Sequence, residues 1–224
     1  MLNLSYRNTQ NKSVASATFL RISESDYSCM SKHIFLTGPK QIGKSTIIKT
    51  YIHSHPASYA GFLTEKSKEI YPGATSVHML DAAFFTQKKK PSKENFLFFC
   101  GQAPDALYHQ YNLLPDPAPR FNKIGCAILD TIPINTNIII MDEIGPHECE
   151  AFEFYHSIVK CLDGDIPILG VLQQAESALY RRIAEHPDVE VIKVTKENRN
   201  QIAFSFHTPD THQHLLSRWS ERRH

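Results

Sequence analysis

The chain lacks a surplus of either charge: 24 Lys and Arg stand against 23 Asp and Glu, a formal net charge of +1. That balance gives no case for general nucleic-acid binding. It also lacks a long apolar run, and nothing approaches the ~20 residues of a membrane-crossing helix. Residues 1–30 are polar, rich in Ser and Asn, and lack the apolar stretch of a secretory signal. The five cysteines, Cys29, Cys100, Cys126, Cys149 and Cys161, are odd in number and show no metal-ligand spacing. Free thiols in a reducing cytosol are the expectation. The 12 histidines show no His-Glu-x-x-His or comparable spacing, so no transition-metal site is expected. With 224 residues, one cytoplasmic α/β domain with ample chain for a core is expected.

What the chain does have is a complete phosphate-binding loop. Gly38-Pro39-Lys40-Gln41-Ile42-Gly43-Lys44-Ser45-Thr46 follows the apolar run His33-Ile34-Phe35-Leu36-Thr37, where a strand ends and a helix begins. Gly38 and Gly43 let the backbone turn with positive φ and approach a ligand. The loop amides then form an anion nest, and the helix beginning near Lys44 adds the positive end of its dipole. Lys44 supplies a mobile positive charge for β- and γ-phosphates, and the Ser45 hydroxyl suits Mg²⁺. The residues expected to hold the nucleotide are therefore 38–46, joined by Gln173 at a neighbouring strand end.

Asn137-Ile138-Ile139-Ile140-Met141-Asp142-Glu143 is an apolar run ending in two carboxylates. A short continuous apolar run suits a strand buried on both faces of a parallel sheet. Ligands of such sheets bind beyond the carboxyl ends of the strands, which brings Asp142 beside the phosphate loop. Asp142 would hold Mg²⁺ directly or through water. Glu143, directly after it, would orient or deprotonate an attacking water.

These segments also carry a resemblance. Phe35-Leu36-Thr37-Gly38-Pro39 into Gly43-Lys44-Ser45-Thr46 resembles the thermophile-type nucleoside-triphosphatase family, also known as the cancer-related nucleoside-triphosphatase family. Four further segments match it in order: Gly61-Phe62-Leu63-Thr64-Glu65, Asp142-Glu143-Ile144-Gly145 with Glu148, Pro167-Ile168-Leu169-Gly170-Val171, and Val189 through Thr195 and Glu197-Asn198-Arg199. The resemblance implies a RecA-like P-loop fold with a mostly parallel sheet, and Mg²⁺-dependent hydrolysis of ATP or other nucleoside triphosphates to diphosphate and phosphate. It covers roughly residues 31–204. Where the family usually carries His-Arg after the fourth strand, this chain has Gln173-Gln174, and Lys40 and Gln41 replace small loop residues. Glutamine cannot stabilise a transferring phosphoryl group as a cation, so low basal turnover is expected. Arg120, Arg181, Arg182 and Arg199 are in-chain alternatives, and a partner's arginine is another.

The domain is expected over 31–206, after a loose N-terminal extension (1–30) and before a C-terminal tail or short helix (207–224). Met30-Ser31-Lys32-His33 also reads as a natural start, and residues 15–22 as a possible edge strand. Strands are expected at 33–37, 60–65, 75–81, 94–100, 137–142, 166–172 and 189–194, with a hairpin across Tyr71-Pro72-Gly73. Helices are expected at 44–54, 120–130, 149–162 and 176–186, with Phe152, Tyr155, Ile158 and Val159 at core spacing. The proline-rich stretch 102–119 reads as an irregular insertion, either a solvated loop or, with the tail, a protein-partner site. Lys88-Lys89-Lys90 reads as a solvated turn.

Three functions remain open on these grounds. The first is a nucleoside-triphosphatase using Lys44, Glu143, Ser45 and Asp142. The second is a phosphotransferase to a nucleoside-like acceptor, which would need a lid and extra arginines. The third is a nucleotide-controlled binding module. Product analysis separates them: free phosphate, a phosphorylated acceptor, or neither without a partner.

Overall fold

Strict alternation explains the middle of the fold. In strand β1 (His33–Thr37), Ile34 and Leu36 join one buried cluster while Phe35 joins another. In β5 (Ile138–Ile144), Ile138 and Ile140 face the first cluster and Ile139 and Met141 the second. A strand apolar on both sides must be covered on both sides, and helices do so here. The computed structural model describes residues 32–87, 89–101, 105–175 and 177–205. The expectations for residues 15–22, Lys88 and the tail at 207–224 lie outside them.

The sheet has seven strands in the order β4-β3-β2-β5-β6-β1-β7, where β2 is Tyr59–Ser67, β3 Ser76–Asp81, β4 Phe96–Phe99, β6 Ile168–Leu172 and β7 Val189–Lys193. The five strands β2-β5-β6-β1-β7 are parallel, and β3 and β4 extend the β2 edge antiparallel. On one face helix α1 (Lys44–Ser54) buries Ile47, Ile48, Tyr51 and Ile52. Helix α2 (Asp105–Gln110) packs on a separate cluster of Tyr71, Phe96 and Phe99, and the other face is covered by a segment built of α3 (Ala118–Arg120), a π-helical turn (Phe121–Gly125) and α4 (Cys126–Leu129), then by α5 (His147–Glu150), α6 (Phe152–Leu162) and α7 (Ala178–Ala184). Helix α8 (Arg199–Ser205) closes the described chain.

Two expectations are corrected. Phe152 is 68% exposed, and the buried stripe of α6 is instead Phe154, Ser157, Ile158 and Leu162. The cause is Ala151, whose φ of −90° and ψ of 84° interrupt the helix expected over 149–162. Restarting at Phe152 turns that ring outward and sends Phe154 between Phe62 and Phe121, at centroid distances of 5.4 and 5.8 Å. The 102–119 stretch is also only partly irregular: residues 105–110 form α2, while 111–117 are turns and coil. Tyr108 and Tyr111 pack on Phe99 and Tyr71 at 5.0 and 4.8 Å. Tyr71 in the expected β2–β3 hairpin is the centre of that cluster, with Phe96 at 4.8 Å.

A buried histidine ties the sheet to its helices. His33 Nε2 donates to the Leu162 carbonyl at 2.9 Å, and its Nδ1 accepts from Ile168 N–H at 3.1 Å. Those partners require the neutral ring with its proton on Nε2. Burial is the main reason that its pKa falls to about 4, reinforced by the charge of Lys32.

Candidate active site

Three loops leave the carboxyl ends of adjacent parallel strands: residues 38–43 after β1, Asp142-Glu143 near the end of β5, and Gln173 after β6, which lies between the other two. The sheet order alone therefore converges the phosphate loop and the acidic pair on one edge. In the loop, Gly38, Gln41 and Gly43 have φ of 143°, 62° and 108°. Gly38 is obligatory for a second reason. A Cβ there would lie 2.4 Å from the Val194 carbonyl oxygen, where β7 closes against the loop. Ile42 is buried beneath the loop, while Pro39, Lys40 and Gln41 are exposed at its tip. No side chain caps α1 and its first turn carries no acid, which leaves its amide end to an anion.

Lys44 Nζ donates to the carbonyls of Gly38 (2.7 Å) and Pro39 (2.8 Å). Burial lowers its pKa, opposed by the charges of Glu143 and Asp142. The Ser45 hydroxyl donates to Asp142 Oδ1 at 2.8 Å, while Thr46 stays exposed on the first turn. Asp142 is fully buried, and burial pushes its pKa up to about 6 against the Ser45 hydrogen bond.

The acidic pair owes its arrangement to a bulge. Met141 pairs with Gly170 and Ile144 with Leu172, so Asp142 and Glu143 together oppose the single residue Val171. Glu143 is the extra residue, with φ of 69°. Simple alternation would send the two carboxylates to opposite faces; the inserted residue brings them together. One hydroxyl now reaches both: Thr64 Oγ1 lies 3.3 Å from Asp142 Oδ2 and 3.1 Å from Glu143 Oε2. Past the Phe62–Met141 pair the β2–β5 ladder stops, and the Thr64 amide turns to Asp142 Oδ2 at 3.4 Å. Gln173 Nε2 donates to Glu143 Oε1 at 3.3 Å.

Every site residue expected from sequence thus lies on this edge. Thr64 was not singled out for a role by sequence reasoning. Its signal was a polar residue just after the buried Phe62-Leu63 in a strand running beside β5. The arginines are elsewhere or outward. Arg120 donates to the Leu97 and Leu114 carbonyls, and Arg182 pairs with Asp163 at 3.0 Å. Arg181, Arg199 and Gln174 are exposed.

Ser45 and Asp142 offer oxygens only, and no cluster of three or more His, Cys, Asp or Glu suited to a metal occurs among the described residues. That donor set fits Mg²⁺, which is commonly held by one or two protein oxygens together with substrate phosphates rather than by a closed cage. Among the described residues no helix is long and apolar enough to cross a membrane.

Known proteins resemble this chain in sequence and in fold. The family profile described as NTPase matches residues 33–206. The nucleoside-triphosphatase THEP1 of Thermofilum pendens is 27% identical over 175 residues, covering 76% of this chain and 90% of that protein. The human cancer-related nucleoside-triphosphatase is 27% identical over 198 residues, covering 77% and 93%. The crystal structure of THEP1 from Aquifex aeolicus superposes with a TM-score of 0.56 at 18% identity, over 77% of this chain and 95% of that one. The solution structure of the human protein gives 0.53 at 24% identity, over 83% and 97%; at these identities both structures speak for the fold alone. The profile, by contrast, runs from β1 into the end of α8 and takes in the phosphate loop, the bulged carboxylates and Gln173: this chain belongs to the NTPase family.

Proposed function

We propose that this chain hydrolyses nucleoside triphosphates, ATP among them, to diphosphate and phosphate. The observation that carries the reading is the bulge in β5, which gathers Asp142 and Glu143 around Thr64 within reach of the Ser45 end of the phosphate loop. A phosphate site with a second carboxylate beside the first is equipped to use water as the acceptor.

The loop amides and the free end of α1 receive the phosphates. Lys44, now folded onto Gly38 and Pro39, exchanges those carbonyls for β- and γ-phosphate oxygens and neutralises charge as it moves toward the leaving diphosphate. Ser45 and Asp142 would hold Mg²⁺, which supplies charge neutralisation at the phosphates. Glu143, with Thr64 and Gln173 fixing its two oxygens, accepts the proton of the attacking water.

Low basal turnover belongs to the same reading. Gln173 is engaged with Glu143, and Arg120 and Arg182 are held by other groups. A partner protein meeting the 102–119 segment or the C-terminal tail would be a source of the arginine. The near-zero net charge fits no nucleic-acid partner, and the unbridged Cys100, Cys126, Cys149 and Cys161 fit a reducing cytoplasm. The test is phosphate release from a panel of nucleoside triphosphates with Mg²⁺. Release of phosphate below the ~1–10³ s⁻¹ of ordinary enzymes is expected; transfer to an acceptor with no free phosphate would contradict the reading.

A further inference from the structure

One buried carboxylate takes no part in this scheme. Glu148 in α5 is only 4% exposed, and its Oε2 accepts from the Gly145 amide at 2.8 Å. Burial pushes its pKa up to about 7, opposed by hydrogen bonds from its own amide and that of Gly145 and reinforced by the charge of Glu143. A carboxylate is costly inside a protein unless its bonds achieve something.

Its bond to Gly145 leads to the active site. A Cβ on Gly145 would lie 2.8 Å from both Cδ and Oε1 of Gln173, so the Gln173 side chain lies directly against the bare Gly145 backbone. Gln173 is further held by its amide on the Ile144 carbonyl at 2.8 Å, and its Nε2 donates to Glu143. Each link fixes the next: Glu148 sets the turn, the turn supports Gln173, and Gln173 orients Glu143. A left-handed Glu143 needs such support, because a strained backbone persists only where its surroundings over-determine it.

We infer that Glu148 is a positioning residue for Glu143, acting through Gly145 and Gln173. This rests on Glu143 being the base. A displacement of about 1 Å can cost on the order of 10²-fold in rate, so the connection is measurable from Glu148, which is not among the residues expected to hold the nucleotide.

The test uses the full chain, with single-turnover phosphate release at saturating Mg-ATP, nucleotide affinity and thermal unfolding measured together. Glu148→Asp keeps the charge but withdraws the acceptor by one methylene; release is expected to slow about tenfold or more with affinity within about twofold. Glu148→Gln keeps an acceptor oxygen in place and is expected to recover most of that rate. Gly145→Ala pushes Gln173 aside and should slow release as much as Gln173→Ala, while the double variant is no slower than either single one. Additive effects of Gly145→Ala and Gln173→Ala would overturn the inference, and so would wild-type release by Glu148→Asp. If Glu148→Asp does not fold, the Gly145–Gln173 cycle still decides. Normal release by Glu143→Gln would overturn the base and this inference together; slow release by Glu143→Gln beside fast release by Glu148→Asp would overturn the inference alone.

Discussion

Ser45 and Asp142, 97 positions apart in the chain, meet in a 2.8 Å hydrogen bond between the phosphate loop and the end of β5. That contact is where the binding and acidic parts of the site become one. In the proposed mechanism this pair of oxygens would hold Mg²⁺ when a nucleotide arrives.

Lys44→Ala is expected to weaken nucleotide binding by tenfold or more and to abolish measurable turnover. The side chain is the loop's mobile cation, and it also bridges the carbonyls of Gly38 and Pro39. Titration with a nucleotide triphosphate checks the affinity and phosphate release the rate. Near-normal turnover at saturating nucleotide would remove Lys44 from its role.

Thr64→Val keeps the shape of the side chain and deletes the hydroxyl shared by Asp142 and Glu143. Phosphate release should fall by about tenfold, the scale of one charge-assisted hydrogen bond of ~1.5 kcal/mol, with the melting temperature little changed. An unaltered rate would show that the bulge alone orients the pair.

His33 should make stability depend on acid. Its folded pKa is about 4 against an ordinary 6.5, so folding favours the neutral ring. The contribution is complete above pH 6.5, declines as the pH falls toward 4, and is lost below that. The linked change is roughly 3 kcal/mol over the window. Denaturant unfolding of wild type and His33→Gln at pH 7.5 and pH 4.5 isolates it, because Asp142 and Glu148 titrate in both proteins. The stability gap should shrink at the lower pH; a constant gap would contradict the account.

Much of this was legible in the residues. The phosphate loop and β5 are local patterns, one set by glycine and lysine spacing and one by a run of isoleucines, and both occupy the expected places. The edge they share follows from the rule that ligands of parallel sheets bind beyond the carboxyl ends of the strands. What was not legible depends on contacts between distant segments. The inserted Glu143 emerges only from the register between β5 and β6, and the double role of Thr64 only from a partner 79 residues away. Phe152 was misplaced because one non-helical residue, Ala151, shifts the phase of the stripe. The α2 segment looked irregular because its prolines flank a short helix that tertiary packing on Tyr71 and Phe99 holds in place.

The central claim is that Glu143 activates water at a working nucleoside-triphosphatase site. It is tested most directly by single-turnover phosphate release from Mg-ATP by wild type and Glu143→Gln, with nucleotide affinity measured on the same samples. The expected result is slow but definite release by the wild type, and a variant that binds within about twofold yet releases phosphate about 10²–10⁴-fold more slowly. Equal rates in the two proteins, or no phosphate from the wild type, would contradict it.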